Sequence, residues 1–111
     1  MPKEDSYKDY ILYDILGGVP GMTARSMFGG WGIYKEGVIV GIIVDGELYL
    51  KSDHVQKKRL EEEGCYPFVY VARGKQVSMA YMSVPEEVLE NPDRIEERVY
   101  ESYEISRNAK K

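Results

Sequence analysis

Only one cysteine, Cys65, and one histidine, His54, occur among the 111 residues. A single cysteine excludes a disulfide within the chain. One Cys with one His falls short of the roughly four ligands that a Cys/His zinc site needs. No apolar run approaches the ~20 residues of a membrane span, and the charged start Met1-Pro2-Lys3-Glu4-Asp5 is followed by no apolar signal core. The expected setting is cytoplasmic, with no membrane partner. Basic residues do not predominate either: 15 Lys and Arg stand against 19 Asp and Glu, a net charge of −4. Duplex DNA is a dense anion whose non-specific affinity comes mostly from Lys and Arg, so direct DNA contact would need a local basic patch. Internal repeats, low-complexity tracts and a Gly/Ser/Pro linker are missing too. What remains, 43% hydrophobic and 31% charged, suits one folded domain over residues 1–111 with a real core.

Tyr7, Ile11 and Ile15 recur every four residues, with Leu12 and Leu16 alongside, which predicts a helix from about Ser6 to Leu16. Asp5 or Ser6 can cap it and Gly17-Gly18 can end it. Four apolar segments follow, punctuated by glycine: Ala24 to Phe28, Trp31 to Lys35, Val38 to Val44 and Glu47 to Lys51. Lys35-Glu36-Gly37 and Asp45-Gly46 read as hairpin turns. Val38 to Val44 is apolar on both faces, as in a central strand covered on both sides by helices or by a partner subunit. Leu48 and Leu50 share one face of the next strand, and Glu47, Tyr49 and Lys51 the other. A second helix is expected from Ser52 or Asp53 to Gly64, with Val55 and Leu60 as its apolar edge. Phe68 to Val71 and Gln76 to Met82 make another hairpin around Arg73-Gly74-Lys75. Ser83-Val84-Pro85-Glu86 has capping-box spacing with Pro85 at the first helical position, and Asn91-Pro92 repeats the start signal for a last helix to about Arg107. The expected fold class is α+β: two layers, a mostly antiparallel sheet with helices mainly on one face, in the order helix, four strands, helix, two strands, helix.

Within that order stand specific words: Arg25-Ser26-Met27-Phe28-Gly29-Gly30-Trp31-Gly32-Ile33-Tyr34, then Asp45-Gly46-Glu47-Leu48-Tyr49-Leu50-Lys51, Pro67-Phe68, Val77-Ser78-Met79-Ala80-Tyr81 and Val84-Pro85-Glu86. Over roughly residues 10 to 108 the chain resembles the TfoX N-terminal domain family (TfoX/Sxy, regulators of competence-specific genes). The resemblance implies a two-layer domain with an antiparallel sheet, laid out like secretion-chaperone-like folds, and a role around bacterial competence. Full-length members act as coactivators with the cyclic-AMP receptor protein and carry a second, helical domain. The chain is expected to be a stand-alone N-terminal domain. The resemblance brings no catalytic residue with it.

The densest word, Met27 to Gly32, sets a glycine loop between Phe28 and Trp31. Exposed aromatics anchor interfaces, so Arg25, Met27, Phe28, Gly29, Gly30, Trp31, Lys51 and Tyr81 are the candidate partner-binding residues. The plainer reading is that the glycines permit a bend and Phe28 packs inward. For Arg25 and Lys51 it is an ion pair or a solvated strand. A phosphate loop is disfavoured, since no GxGxxG or Gly-Lys-Ser/Thr word is present. The basic run Lys57-Lys58-Arg59 is neutralised by Glu61-Glu62-Glu63 at helical spacing. From Ser83 to Glu104 eight acidic residues face only Arg94 and Arg98, a surface that repels DNA and attracts a basic protein.

Catalysis has little to stand on. His54 adjoins Ser52 and Asp53 in sequence, but neighbours at a helix start do not face one another as a triad requires. Cys65 has no second histidine to act as its base. No cofactor or metal is expected. The leading expectation is a non-enzymatic regulatory module acting through protein contacts, with the transcription machinery or a regulator as partner by resemblance, and a homodimer as the oligomeric form considered. Direct nucleic-acid binding through Arg73 and Lys75, and a small-ligand sensor or enzyme with a pocket near Gly29-Gly30, are the alternatives.

Overall fold

A computed structural model describes residues 3–27 and 30–109, so the loop residues Phe28 and Gly29 lie outside the described residues. The first helix, α1 (Lys3–Asp9), runs straight into a π-helical turn, Tyr10–Ile15. The wider turn is recorded by the Leu16 N–H, which donates to the Ile11 carbonyl five residues back at 2.9 Å. It brings Ile11, Leu12 and Leu16 inward and leaves Ile15 half-buried and Tyr10 and Tyr13 exposed, so the expected four-residue stripe holds only in part. Gly17 closes the turn, because a Cβ there would collide with the Tyr13 carbonyl.

Among the described residues six strands form one sheet: β1 (Met22–Met27), β2 (Gly30–Lys35), β3 (Val38–Val44), β4 (Glu47–Lys51), β5 (Pro67–Ala72) and β6 (Lys75–Ser83). They lie in the order β1-β2-β3-β4-β6-β5, every neighbouring pair antiparallel. Three of the connections are two-residue turns with both residues at positive φ: Glu36 (50°) and Gly37 (84°), Asp45 (54°) and Gly46 (73°), Arg73 (54°) and Gly74 (77°). That backbone matches the right-handed twist of the flanking strands and favours glycine in second place.

The helices cover one face. Between β4 and β5 runs α2 (His54–Glu62), and after β6 come the short α3 (Glu86–Leu89) and the long α4 (Pro92–Ala109). Ile95 and Val99 of α4 join Ile11, Leu16, Val88 and Leu89 against Ile33, Val40, Ile43, Leu48 and Leu50. Val40 and Ile43 are both fully buried in this cluster although an odd spacing sends strand residues to opposite faces. A bulge resolves this: pairing shifts from Ile33↔Gly41 to Tyr34↔Ile39, inserting one residue in β3. Ser102 and Ser106 let α4 lie close to the sheet, and the Ser102 hydroxyl donates to the Lys51 carbonyl at 2.6 Å.

Several local expectations change. Asp53 does cap α2, accepting from the Gln56 N–H at 2.8 Å, but this start phases the helix so that Gln56 and Leu60 point inward and Val55 is 76% exposed. Gln56 is buried because its amide donates to Glu101 at 2.6 Å. The Ser83 capping box does not form. Ser83 still belongs to β6, where its hydroxyl accepts from the Tyr66 N–H, and Pro85 itself occupies the cap position of α3. Asn91 caps α4 as expected, its Oδ1 accepting from the Asp93 and Arg94 N–H groups. Arg98, read as helix exterior, is buried, and its guanidinium pKa is drawn down by that burial.

Glycine at position 30 is a packing requirement. A Cβ there would strike the Ile43 carbonyl oxygen, which the β2–β3 ladder holds in place. At position 32 it would meet only the Met27 sulfur and the Tyr34 ring, which can swing away. Gly30→Ala is expected to lose about 3 kcal/mol and Gly32→Ala under about 1.5 kcal/mol, measured by urea unfolding of each variant.

Candidate partner-binding face

Among the described residues, no helix lies on the face of the sheet opposite α1 to α4. Cross-strand pairing sets its rows. Arg25 of β1 stands opposite Gly32, Gly32 opposite Ile42, Ile42 opposite Tyr49 and Tyr49 opposite Ser83. Lys51 stands opposite Tyr81. These positions alternate with the helix-facing Ile33, Ile43, Leu48 and Leu50, so strand geometry sends them to the other side.

Ile42 is only 5% exposed without a helix above it. Its cover is local: glycine at 32 leaves a hollow into which Met27 and Tyr34 fold, and Tyr49 flanks the other side. The two-sided apolar pattern of β3 is thus met by helices on one face and by this sheet's own aromatic side chains on the other. The rings continue across the sheet. Tyr49 meets Phe68 edge-on with centroids 5.2 Å apart, and Phe68 stacks with Tyr70 at 6.2 Å. Glu47 ties the margin together, accepting from the hydroxyls of both Tyr49 and Tyr66.

Two cations lie on the rings. The Arg25 guanidinium sits 5.6 Å from the centre of Tyr34, and the Lys51 ammonium 5.1 Å from that of Tyr81. Neither forms an ion pair among the described residues. Burial pushes the Tyr81 hydroxyl pKa up, with Tyr34 adding repulsion. Tyr49 is pushed up to about 12 by burial first and by the Glu47 carboxylate second. At neutral pH the face therefore presents neutral phenols, apolar surface, two positive charges and, at its margin, the Glu47 carboxylate held by two tyrosine hydroxyls.

Of the eight candidate residues, Arg25, Met27, Lys51 and Tyr81 come together here. Trp31 does not. It lies on the helix side, packed against the main core with the Lys8 ammonium 4.6 Å above its ring. Gly30 is buried opposite Met27 in the β1–β2 ladder, and Phe28 and Gly29 fall outside the described residues. Tyr34, Ile42, Tyr49, Phe68 and Tyr70 were not singled out from sequence, although strand alternation around Gly32 and Leu48 already places Tyr34 and Tyr49 on one side. The catalytic candidates stay apart in kind: His54 is exposed in the first turn of α2, while Cys65 is buried with Leu60 and Met82, and burial pushes its thiol pKa up. A thiol so held is mostly protonated and a poor nucleophile.

The family model of the TfoX N-terminal domain matches residues 14–106. The chain belongs to the TfoX N-terminal domain family. It is 34% identical over 83 residues to DNA transformation protein TfoX1 of Aliivibrio fischeri (strain ATCC 700601 / ES114). The match covers 75% of this chain but 40% of that relative. Membership in the TfoX N-terminal family agrees with the α+β architecture seen here. No helix of the described residues is long and apolar enough to cross a membrane.

The Tyr49 environment has a measurable signature. A tyrosine pKa raised on folding contributes stability that is complete below pH 10 and lost as pH rises through about 12. Alkaline unfolding is therefore expected to steepen between those values and to flatten in Tyr49→Phe. Phenolate absorbance should show Tyr49 among the late-ionising tyrosines, with Tyr7, Tyr66 and Tyr81 also raised, and the ionisation of Tyr49 and Tyr66 should move to lower pH in Glu47→Gln.

Proposed function

We propose that the chain is a non-enzymatic, cytoplasmic regulatory module that acts through protein contacts, as a coactivator-like partner of the transcription machinery or of a regulator in competence. The observation that carries this reading is the gathering of Arg25, Met27, Lys51 and Tyr81 with Tyr34 and Tyr49 on a sheet face that no helix covers. Tyr, Met and Arg are the residue types enriched where proteins bind proteins, and central Tyr and Arg contacts carry most of the affinity. The relative's name, a DNA transformation protein, supports the same process.

Charge adds direction. The exterior of α3 and α4 carries Glu86, Glu87, Glu90, Asp93, Glu97 and Glu104 exposed, with Arg98 turned inward. That side repels nucleic acid and favours a basic protein surface, while the helix-free face offers cations to an acidic one.

The test is recovery of RNA polymerase or a transcription regulator from extract of the source cell by the immobilised chain. Arg25→Glu with Lys51→Glu is expected to cut recovery by roughly tenfold or more, with Lys58→Ala, exposed on α2, unaffected. Recovery of neither protein class, or equal recovery by both variants, defeats the reading. Affinity for a DNA duplex at low salt, falling steeply as salt rises, would instead favour direct nucleic-acid binding.

A further inference from the structure

The β5–β6 hairpin extends past the body of the sheet. β4 pairs with β6 only from Lys51↔Tyr81 to Tyr49↔Ser83, whereas β5 accompanies β6 from Pro67↔Met82 to Ala72↔Lys75. Beyond the bond from the Ser52 N–H to the Ala80 carbonyl, the hairpin is a two-stranded arm. Such a ribbon is marginal alone in water.

β5 is also an outer strand of the sheet, and its sequence, Pro-Phe-Val-Tyr-Val-Ala, has no charged residue. Edge strands are usually protected against further pairing by Lys, by inward charges or by proline within the strand. The opposite edge, β1, carries Arg25. β5 has only Pro67 at its first position, and Val69, Tyr70 and Val71 are 43%, 42% and 69% exposed.

The two ends of this strand differ in charge. The hairpin tip bears Arg73 and Lys75, both exposed. Where β5 begins, next to Tyr66, lies a recess of about 540 Å³ lined by Glu47, Glu63, Glu86, Glu87 and Glu90, with no Lys or Arg among its described lining residues. An antiparallel pairing of β5 with itself therefore matches unlike charges at both ends at once. A two-fold axis at Tyr70 sets Val69 against the partner subunit's Val71. It also sets Arg73 against the partner subunit's Pro67, beside the acidic recess. Such an interface is isologous and closed.

We propose that β5 is the docking edge for a second copy of this chain, giving a two-fold dimer with one sheet running through both subunits. The cationic tip of each arm seats at the acidic recess of the other. Because the axis of an antiparallel strand pair is normal to the sheet, both helix-free faces lie on the same side. The dimer is a bivalent platform for whatever that face binds.

Sedimentation equilibrium of the full chain tests this. Wild type is expected to be dimeric at about 50 µM, with dissociation on dilution. Val71→Lys, which puts a charge on the pairing edge, is expected to weaken association at least about tenfold, with an unchanged far-ultraviolet spectrum. Arg73→Glu and Glu63→Arg should each weaken it severalfold, and the two together should restore much of the loss. Both of these residues are exposed, so this arm survives even if Val71→Lys fails to fold. A monomeric wild type at about 100 µM, or association indifferent to all of these substitutions, overturns the proposal. Either result leaves the partner-binding reading of the helix-free face intact, because that reading is judged by recovery of partner rather than by oligomeric state.

Discussion

The burial of Ile95 and Val99 of α4 against Val40, Ile43, Leu48 and Leu50 is the contact on which the rest of the architecture depends. It decides which side of the sheet is inside. Once β3 and β4 offer those side chains to the helices, alternation sends Ile42, Tyr49 and Lys51 the other way. The bulge at Val40 strengthens this choice by turning one more apolar residue of β3 toward α4. The Ser102 bond to the Lys51 carbonyl then sets the helix at a fixed height over β4. Lys35 shows how strongly the helix layer claims its face. It is only 3% exposed, held between the rings of Tyr100 and Tyr103 and the Pro20 carbonyl.

A sheet covered on one side must solve a problem on the other, where apolar residues of a central strand still need shelter. Here aromatic side chains provide it. Tyrosine suits the task because its ring can lie over Ile42 while its hydroxyl stays near water or finds a carboxylate, as Tyr49 and Tyr66 do with Glu47. The same economy makes the face adhesive: broad, rigid rings with two cations resting on them and few rotatable groups to immobilise. Negative charge is kept elsewhere, on α3, on α4 and around the recess by Tyr66. The molecule is polarised, and the partition of charge, more than its net value, shapes what it can touch.

Much of this was legible before the structure. The X-Gly turns at Glu36-Gly37, Asp45-Gly46 and Arg73-Gly74 announce hairpins because positive φ at two successive residues favours glycine. Alternation in Glu47–Lys51 put Tyr49 and Lys51 together, and Asn91-Pro92 marked the start of α4. Other features were hidden by their chemistry. Gln56 points inward because of one hydrogen bond to a residue 45 positions away, which no local pattern encodes. The π-helical turn shifts the phase of a helix whose residues read equally well as regular α. Ser83 has the spacing of a capping box but is claimed by β6, since a strand ladder satisfies its backbone first.

The sequence by itself determined the class of the fold, the family and the absence of a disulfide, because turn residues, alternation and a single cysteine act through neighbours in the chain. Tertiary structure alone decided that Trp31 goes beneath Lys8 while Arg25 and Met27 go to the open face, that β5 rather than β4 ends the sheet, and that the β5 end with Tyr66 lies among carboxylates from β4, α3 and the α2–β5 connection. Those outcomes depend on strand order and on contacts between segments far apart in the chain. Strand alternation says only that two residues lie on opposite sides; which side meets the helices is settled when the apolar faces collapse together.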